Sequence, residues 1–173
     1  MADTPHRILG VDPGLTRTGY GIIDIINDRA FLVHLGVINN SGPKKSLPEK
    51  LFRIYNKMIR IISDNHPSEM VIEEVFYAQN VQSAFKLGQA RAAAILAGIN
   101  CELKIHEYSA LEVKKSITSY GRATKEQVQH MVKILLKLDE IPRYNDSSDA
   151  LALSLCHFHS MKYRNLTKTA TTL

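Results

Sequence analysis

Acidic residues at separate places in the chain are the side chains best suited to chemistry. The first follows an apolar run, the next two interrupt a second apolar run, and the last two, three positions apart, precede a third apolar run. They are Asp12, Glu73, Glu74, Asp146 and Asp149. Hard divalent cations such as Mg²⁺ prefer carboxylate oxygens that converge from different elements of a fold. Two such ions about 3.5–4 Å apart can activate a water molecule and stabilise the leaving oxygen of a phosphodiester.

Each of these positions also has a structural explanation. Asp12 could simply start a turn, and Asp146 and Asp149 could cap the first amides of a helix. The strand glutamates are harder to explain, because a buried carboxylate costs several kcal/mol unless it is paired or metal-bound. Adjacent strand residues point to opposite faces, so the sequence leaves open whether Glu73 or Glu74 faces the site. Asp146 and Asp149 share one helix face and repel each other unless a cation lies between them.

Basic residues are grouped on both sides of Tyr120 and Gly121. They are Lys114, Lys115, Arg122 and Lys125. A single basic residue on a helix is usually solvated, but this grouping favours a rim that binds phosphates without selecting sequence. Lys125 or Lys114 could also neutralise charge that builds on the phosphate oxygens during reaction.

Two aromatic or metal-ligand motifs have competing interpretations. Phe76 follows Glu73 by three residues and could be a core residue or could stack on a base, a contact worth about 1–3 kcal/mol. The segment 156–159, Cys-His-Phe-His, lacks the spacing of a zinc site and is interpreted as helix surface and core.

The elements that must position these residues alternate between strands and helices. The predicted strands cover 7–12, 18–26, 31–38, 69–75 and 103–107, and the predicted helices cover 46–65, 81–99, 110–118, 125–138 and 146–162. The first three strands are close enough in sequence for an antiparallel meander. Capping boxes support the starts of three helices: Ser46 with Glu49, Ser109 with Glu112, and Thr124 with Gln127.

This order predicts an α/β fold with a mixed five-stranded sheet and helices on both faces. Residues 1–162 are expected to form a single domain, and the basic, Thr-rich residues 163–173 a flexible tail. The helix over 81–99 is rich in small residues and carries Phe85. It is equally interpretable as a dimer interface or as an internal core helix.

Overall charge favours a polyanionic partner. The chain of 173 residues has a formal net charge of +5 and a pI near 9.2, which is consistent with nucleic acid but does not identify it. No apolar run approaches the ~18 residues of a membrane span, and the N-terminus lacks the form of a signal peptide. With only two cysteines, a reducing compartment and cytoplasmic localisation are expected.

Ordered blocks of the sequence resemble the RuvC family of Holliday junction resolvases. The blocks are 8–14 followed by 18–21, then 72–76, 86–91, 127–132 and 146–152. The resemblance implies a ribonuclease-H-like fold, a homodimer, and Mg²⁺-dependent paired nicking of four-way DNA junctions to 5′-phosphate and 3′-hydroxyl ends. It also implies partners that bind the junction and drive branch migration, of the RuvA and RuvB type, in recombination and repair.

The resemblance also assigns roles to individual residues. The implied catalytic and metal-binding acids are Asp12, Glu73, Asp146 and Asp149. They would hold two Mg²⁺ ions, with Mn²⁺ as a substitute and Asp12 as the bridge. Phe76 matches an aromatic residue that stacks on a base, and Lys114 and Lys125 match basic residues beside the scissile phosphate. Glu74 departs from the family pattern, which has Gln there.

Three other functions compete with this interpretation. A nuclease of the same fold could trim structured RNA instead, since the 2′-hydroxyl decides that choice. An actin-like or sugar-kinase-like phosphotransferase would need a second similar domain and about twice the length. A non-catalytic junction-binding protein would not need the acidic residues.

Overall fold

The computed structural model describes residues 5–42, 45–74 and 81–170, with side chains as far as Arg164. Within these ranges the elements follow the predicted order. They are β1 (His6–Asp12), β2 (Arg17–Ile26), β3 (Arg29–Asn39), α1 (Leu47–Asn65), β4 (Glu69–Glu73), α2 (Val81–Asn100), β5 (Lys104–Tyr108), α3 (Ala110–Thr118), α4 (Lys125–Leu135) and α5 (Asn145–Ala170).

The strands form a mixed five-stranded sheet in the order β3-β2-β1-β4-β5, as predicted. β1, β2 and β3 pair antiparallel, whereas β4 pairs parallel with both β1 and β5. Asn27 and Asp28 have φ values of 49° and 61°, the left-handed conformation that a tight hairpin turn between β2 and β3 requires. The parallel pairs bring the C-terminal ends of β1, β4 and β5 to one edge.

Helices cover both faces of this sheet, which confirms the predicted layers. Alternate residues of each strand point to opposite faces, so Leu9 and Val11 pack with α1 and α2. Ile8 and Val71 pack instead with α3, α4 and α5. Asp12 and Glu73 share the strand parity of Ile8 and Val71, and therefore lie on the side of the sheet that α5 covers.

Glycines in β1 and β2 allow α5 to lie directly on the sheet. A Cβ atom on Gly10 would lie 2.0 Å from the carbonyl oxygen of Ala150, and one on Gly19 would lie 2.0 Å from that of Asp146. Both distances are far inside van der Waals contact. The missing side chains therefore let the first turns of α5 approach the end of β1, where Asp12 lies.

Replacing Gly10 by Ala is expected to lower the free energy of unfolding by about 1–3 kcal/mol, because the added methyl group must push α5 away from β1. Gly88→Ala is the matched control, since Gly88 lies in α2 with nothing within 4 Å of its added Cβ. It is expected to raise stability by about 0.5–1 kcal/mol. Urea unfolding of the two variants measures both effects, and equal stability would contradict the close packing of α5.

Some element boundaries differ from the prediction. α5 continues to Ala170 rather than ending near Lys162, and the sequence contains neither Pro nor Gly after Arg143 that would stop it. α4 ends at Leu135 rather than 138, because Lys137 adopts a left-handed φ of 52°. Within the described ranges, no helix combines the length and apolarity needed to cross a membrane.

Candidate active site

Three of the four predicted catalytic acids line one cleft. Asp12 and Glu73 end neighbouring parallel strands, where Val11 lies opposite Ile72. Asp149 reaches the same edge from the first turns of α5. A cleft of about 390 Å³ is lined by these three carboxylates together with Lys114, Lys125 and apolar residues of α3, α4 and α5.

The structure shows which of the two adjacent glutamates, Glu73 or Glu74, faces the cleft. Glu73 lines it, and it shares a face with Val71, which packs on the side of α5. Glu74 lies just beyond β4, where its backbone N–H donates to the carbonyl of Tyr108 over 2.9 Å. Glu74 is not among the described residues that line the cleft.

Burial and mutual repulsion shape the ionisation of these acids. Burial, followed by the charges of Asp149, Glu73 and Asp146, raises the pKa of Asp12 to about 8, and Lys125 only partly offsets them. Burial and the charge of Asp149 likewise raise the pKa of Glu73. Burial also raises the pKa of Asp149, against the opposing effect of Lys125. The cleft therefore concentrates negative charge that one lysine does not balance.

Lys125 is held at the start of α4. Thr124 and Gln127 form the predicted capping box, in which the Thr124 N–H donates to Gln127 Oε1 over 2.8 Å. Lys125 Nζ donates to Asp149 Oδ2 over 2.5 Å. Burial disfavours the charged lysine, but the hydrogen bond and the charge of Asp149 outweigh it and raise the pKa of Lys125 above its ordinary value. Lys125 therefore stays protonated against the carboxylates.

The other predicted basic residues divide into two groups. Lys114 lies in the cleft wall formed by α3. Lys115 and Arg122 are exposed and are not among the described cleft-lining residues. Lys115 runs along the backbone of Gly121, which places both residues on the outer surface next to the α3–α4 loop. Phe76 lies outside the described residues.

Asp146 lies beside the cleft rather than in its wall. Its Oδ2 is 3.1 Å from Arg17 Nε, yet this buried oxygen accepts no hydrogen bond from any described residue. Its charge still acts on Asp12, because Gly19 lets the backbone of Asp146 approach β2. Apart from the ion pair with Arg17, this oxygen accepts nothing from the described residues, so the carboxylate keeps the capacity to bind a metal cation.

Two arginines in this region escaped the sequence reasoning. Arg17 faces Asp146. Arg91 of α2 donates from Nε to the carbonyl oxygen of Glu73 over 3.1 Å and pairs with Glu107 of β5. Arg91 thereby fixes the end of β4 from which Glu73 projects. In the sequence, Arg91 is marked only by its place in the block 86–91, one of the blocks on which the family resemblance rests.

Comparison with known proteins identifies the family. The family model described as "Crossover junction endodeoxyribonuclease RuvC" matches residues 8–157. The chain belongs to the RuvC family. A RuvC of Magnetococcus marinus is 44% identical over 98% of this chain and 93% of its own length. A RuvC of Geobacter metallireducens is 46% identical over 94% of this chain and 98% of its own length.

Solved structures agree with this membership. "T. thermophilus RuvC in complex with Holliday junction substrate" has a TM-score of 0.86 and 29% identity, and the match covers 91% of this chain and 96% of that chain. The yeast mitochondrial resolvase Ydc2, at 12% identity and a TM-score of 0.63 over 94% of this chain and 85% of its own, shares the fold. The predicted ribonuclease-H-like fold is confirmed.

Membership of the RuvC family also confirms the predicted type of enzyme. Its members are DNA-binding nucleases that hydrolyse phosphodiester bonds, and they depend on metal ions. The chain is therefore a nuclease, which decides against the phosphotransferase and the non-catalytic binding protein.

Proposed function

We propose that this RuvC-family chain acts as a homodimer that resolves Holliday junctions by symmetric, Mg²⁺-dependent nicks in two strands, leaving 5′-phosphate and 3′-hydroxyl ends. The observation that supports it most is the cleft in which Asp12, Glu73 and Asp149 face Lys114 and Lys125. The proposed biological role is DNA recombination and repair in the cytoplasm. Junction-binding and branch-migration proteins of the RuvA and RuvB type are the proposed partners.

The acids fit a pair of hard divalent cations. Asp146 Oδ2 is buried without a hydrogen bond from the described residues, and burial together with the charges of Asp149, Glu73 and Asp146 raises the pKa of Asp12. Asp12, Glu73, Asp146 and Asp149 would hold two Mg²⁺ ions, with Mn²⁺ as a substitute. When bound, the ions would lower the pKa of a coordinated water and offset charge on the leaving 3′-oxygen.

Side chains that line the cleft would position the substrate and neutralise its negative charge. Lys125 holds the carboxylate of Asp149 in one orientation through its 2.5 Å hydrogen bond. Lys114 and Lys125 both face the cleft, where a cation can stabilise charge that builds on phosphate oxygens in the transition state. Lys115 and Arg122, on the outer surface, would bind backbone phosphates of the junction arms.

Phe76 is proposed to stack on a base at the crossover, as the resemblance implies. Glu73 lines the cleft and Phe76 follows it by three residues. A ring close to the reacting phosphate could replace base stacking that is lost when the junction opens.

Helix α2 supplies the proposed dimer surface. Its small residues Ala90, Ala94 and Ala97 are fully buried in the core of the chain. Its opposite side exposes apolar residues at helical spacing, namely Val81, Phe85, Leu96 and Ile99. The small residues therefore follow the interpretation of α2 as a core helix, and the exposed apolar face is the proposed dimer surface. A two-fold dimer would match the symmetry of two equivalent strands in a junction.

Substrate choice is tested by incubating the protein with a synthetic four-way junction, a duplex of the same sequence and an RNA hairpin, each with and without Mg²⁺. Strands carry labels at one end so that nick positions are mapped on denaturing gels. Paired nicks at symmetric positions in the junction, dependent on Mg²⁺, are expected. Preferential cutting of the hairpin would favour the RNA-trimming alternative, and equal cutting of the duplex would contradict structure selectivity.

A further inference from the structure

A second group of metal-ligand side chains lies on the same face of the sheet, at the other end of β4 from Glu73. Glu69 begins β4, and four residues of strand place it about 13 Å from Glu73. Three histidines surround its carboxylate. Their Nε2 atoms lie 3.5 Å (His6), 3.5 Å (His106) and 2.6 Å (His157) from Glu69 Oε2. We name these four residues the Glu69 cluster.

The cluster joins four elements of the fold. His6 comes from β1, Glu69 from β4, His106 from β5 and His157 from α5. Ligand atoms of Glu69, His106 and His157 all lie within 4.8 Å of one another. The cluster runs from the surface into the interior: the side chains of His6 and His106 are 34% and 27% exposed, that of Glu69 16% and that of His157 1%.

The spacing is close to that of a tetrahedral metal site. Zinc bonds of about 2.0–2.2 Å to imidazole nitrogen and carboxylate oxygen place neighbouring ligand atoms roughly 3.3–3.5 Å apart. The separations from Glu69 to His6 and to His106, both 3.5 Å, match this value. The ligand atoms of Glu69, His106 and His157 lie within 4.8 Å of one another, and His6 lies outside that group. The 2.6 Å contact between Glu69 and His157 is a hydrogen bond, which would open by roughly 0.8 Å when an ion enters.

Two nitrogen atoms of the cluster form no hydrogen bond with the described residues. His6 Nε2 and His106 Nε2 are both buried and form no hydrogen bond there, although buried polar atoms are normally paired. Both atoms face Glu69 Oε2 at 3.5 Å without the geometry of a hydrogen bond, whereas His157 Nε2 lies 2.6 Å from the same oxygen. A metal ion would give both nitrogens a partner.

A polar group behind the cluster orients the most buried ring. Tyr108 Oη lies 2.9 Å from His157 Nδ1, and Arg164 Nη2 donates to the same oxygen over 3.2 Å. In the metal-free chain Nε2–H of His157 donates to Glu69. When an ion enters, the ring proton would move to Nδ1 and donate to Tyr108, which leaves the lone pair of Nε2 for the ion. Metal-binding histidines usually have such a partner on the second ring nitrogen.

We propose that the Glu69 cluster binds one structural divalent transition-metal ion of the zinc type. Imidazole ligands suit zinc and its neighbours, whereas all-oxygen sites suit magnesium. The cluster is therefore chemically distinct from the carboxylate cleft. Glu69, His106 and His157 would supply three ligands to a tetrahedral ion. A rotation of His6, whose Nε2 lies 3.5 Å from Glu69 Oε2 but outside that group, would supply the fourth and close the site, as is typical of a structural ion. The ion would fasten β1, β4 and β5 to α5, the helix that carries Asp149.

Metal content tests the proposal directly. The full chain is stripped with chelator, loaded with Zn²⁺ in the presence of excess Mg²⁺, desalted and analysed for bound metal. One zinc per chain is expected, with near-complete loss in Glu69→Gln and His106→Gln. His159→Gln is the matched control, because His159 also lies on α5 but bonds Ser116, and it should retain the metal. Asp149→Asn should retain it too.

Two further readouts do not depend on those variants folding. Co²⁺ added to the unmodified chain should give the intense visible absorption of tetrahedral coordination, displaced by one equivalent of Zn²⁺. Tyr108→Phe should weaken zinc binding by about 10–100-fold, the usual cost of losing a ligand's second partner. Absence of bound zinc and of the Co²⁺ spectrum would overturn the proposal. Metal lost in Asp149→Asn but kept in Glu69→Gln would assign it to the cleft instead.

Discussion

Asp12→Asn is expected to lower Mg²⁺-dependent cleavage of a four-way junction by at least about 10²–10³-fold, the usual cost of one preorganised electrostatic group. Asp12 lies at the centre of the acids, since its pKa responds to Asp149, Glu73 and Asp146 together. Asparagine keeps the shape but removes the charge that would hold cations. Junction binding in chelator should not weaken, because the metal-free carboxyl group is largely protonated below its pKa of about 8 and Asn is a neutral group of the same shape.

Single-turnover cleavage and fluorescence anisotropy with a labelled junction measure the two effects separately. Asp24→Asn is an informative control, because Asp24 pairs with Arg7 through two hydrogen bonds away from the cleft. Its cleavage rate should change far less than that of Asp12→Asn. Full cleavage by Asp12→Asn would remove Asp12 from the proposed catalytic residues.

The same carboxyl group should also make the metal-free protein less stable as pH rises. The pKa of Asp12 is raised from 3.8 in its ordinary state to about 8 in the folded chain. The native state therefore holds a proton that the unfolded state has lost, and stability falls across that window by up to about 1.4 kcal/mol per pH unit. The contribution is complete below pH about 3.8 and lost by pH about 8. Urea unfolding in chelator should show this slope in the unmodified chain and a shallower one in Asp12→Asn.

Lys125→Ala is expected to slow cleavage by about 10²–10³-fold while changing junction affinity much less. Lys125 Nζ bonds Asp149 Oδ2 at 2.5 Å and faces the same cleft as Asp12 and Glu73. Its loss removes a cation beside the reacting phosphate and frees the carboxylate of Asp149. Because Lys125 lowers the pKa of Asp149, the pH–rate profile of the variant should shift to higher pH.

Lys133→Ala is the matched control for Lys125, since Lys133 lies in the last turn of the same helix. Lys125→Arg should recover part of the activity by keeping the charge. A rate loss that only follows a loss of affinity, with no shift in the pH profile, would assign Lys125 to phosphate binding alone.

The acidic site was largely predictable because its signal is local. Asp12 ends an apolar strand, and Asp146 and Asp149 begin a helix, so residue type and periodicity together placed them at element ends. Strand periodicity does not choose between Glu73 and Glu74, and in the sequence only the family resemblance names Glu73. The choice depends on the register of β4 against β1 and β5, which is set by long-range pairing rather than by the sequence of the strand.

Other features depend on contacts between distant elements and left no local signal. Gly10 and Gly19 are ordinary strand residues in sequence, and only the position of α5 shows why a side chain would not fit. The segment 156–159 was interpreted as core and surface because it lacks zinc-site spacing. His157 of α5 nevertheless lies next to Glu69 of β4 and His106 of β5. Residue spacing within one segment cannot predict a group that forms between separate elements.

If a basic surface binds the junction and an acidic cleft cuts it only when divalent metal is present, binding and cutting can be separated in one sample. The most direct test follows a labelled junction with the protein in chelator and then adds Mg²⁺ to the same sample. Salt-sensitive binding before the addition, followed by nicks in two opposing strands only afterwards, is the predicted result. Cutting in chelator, or nicks confined to one strand at saturating Mg²⁺, would contradict the account.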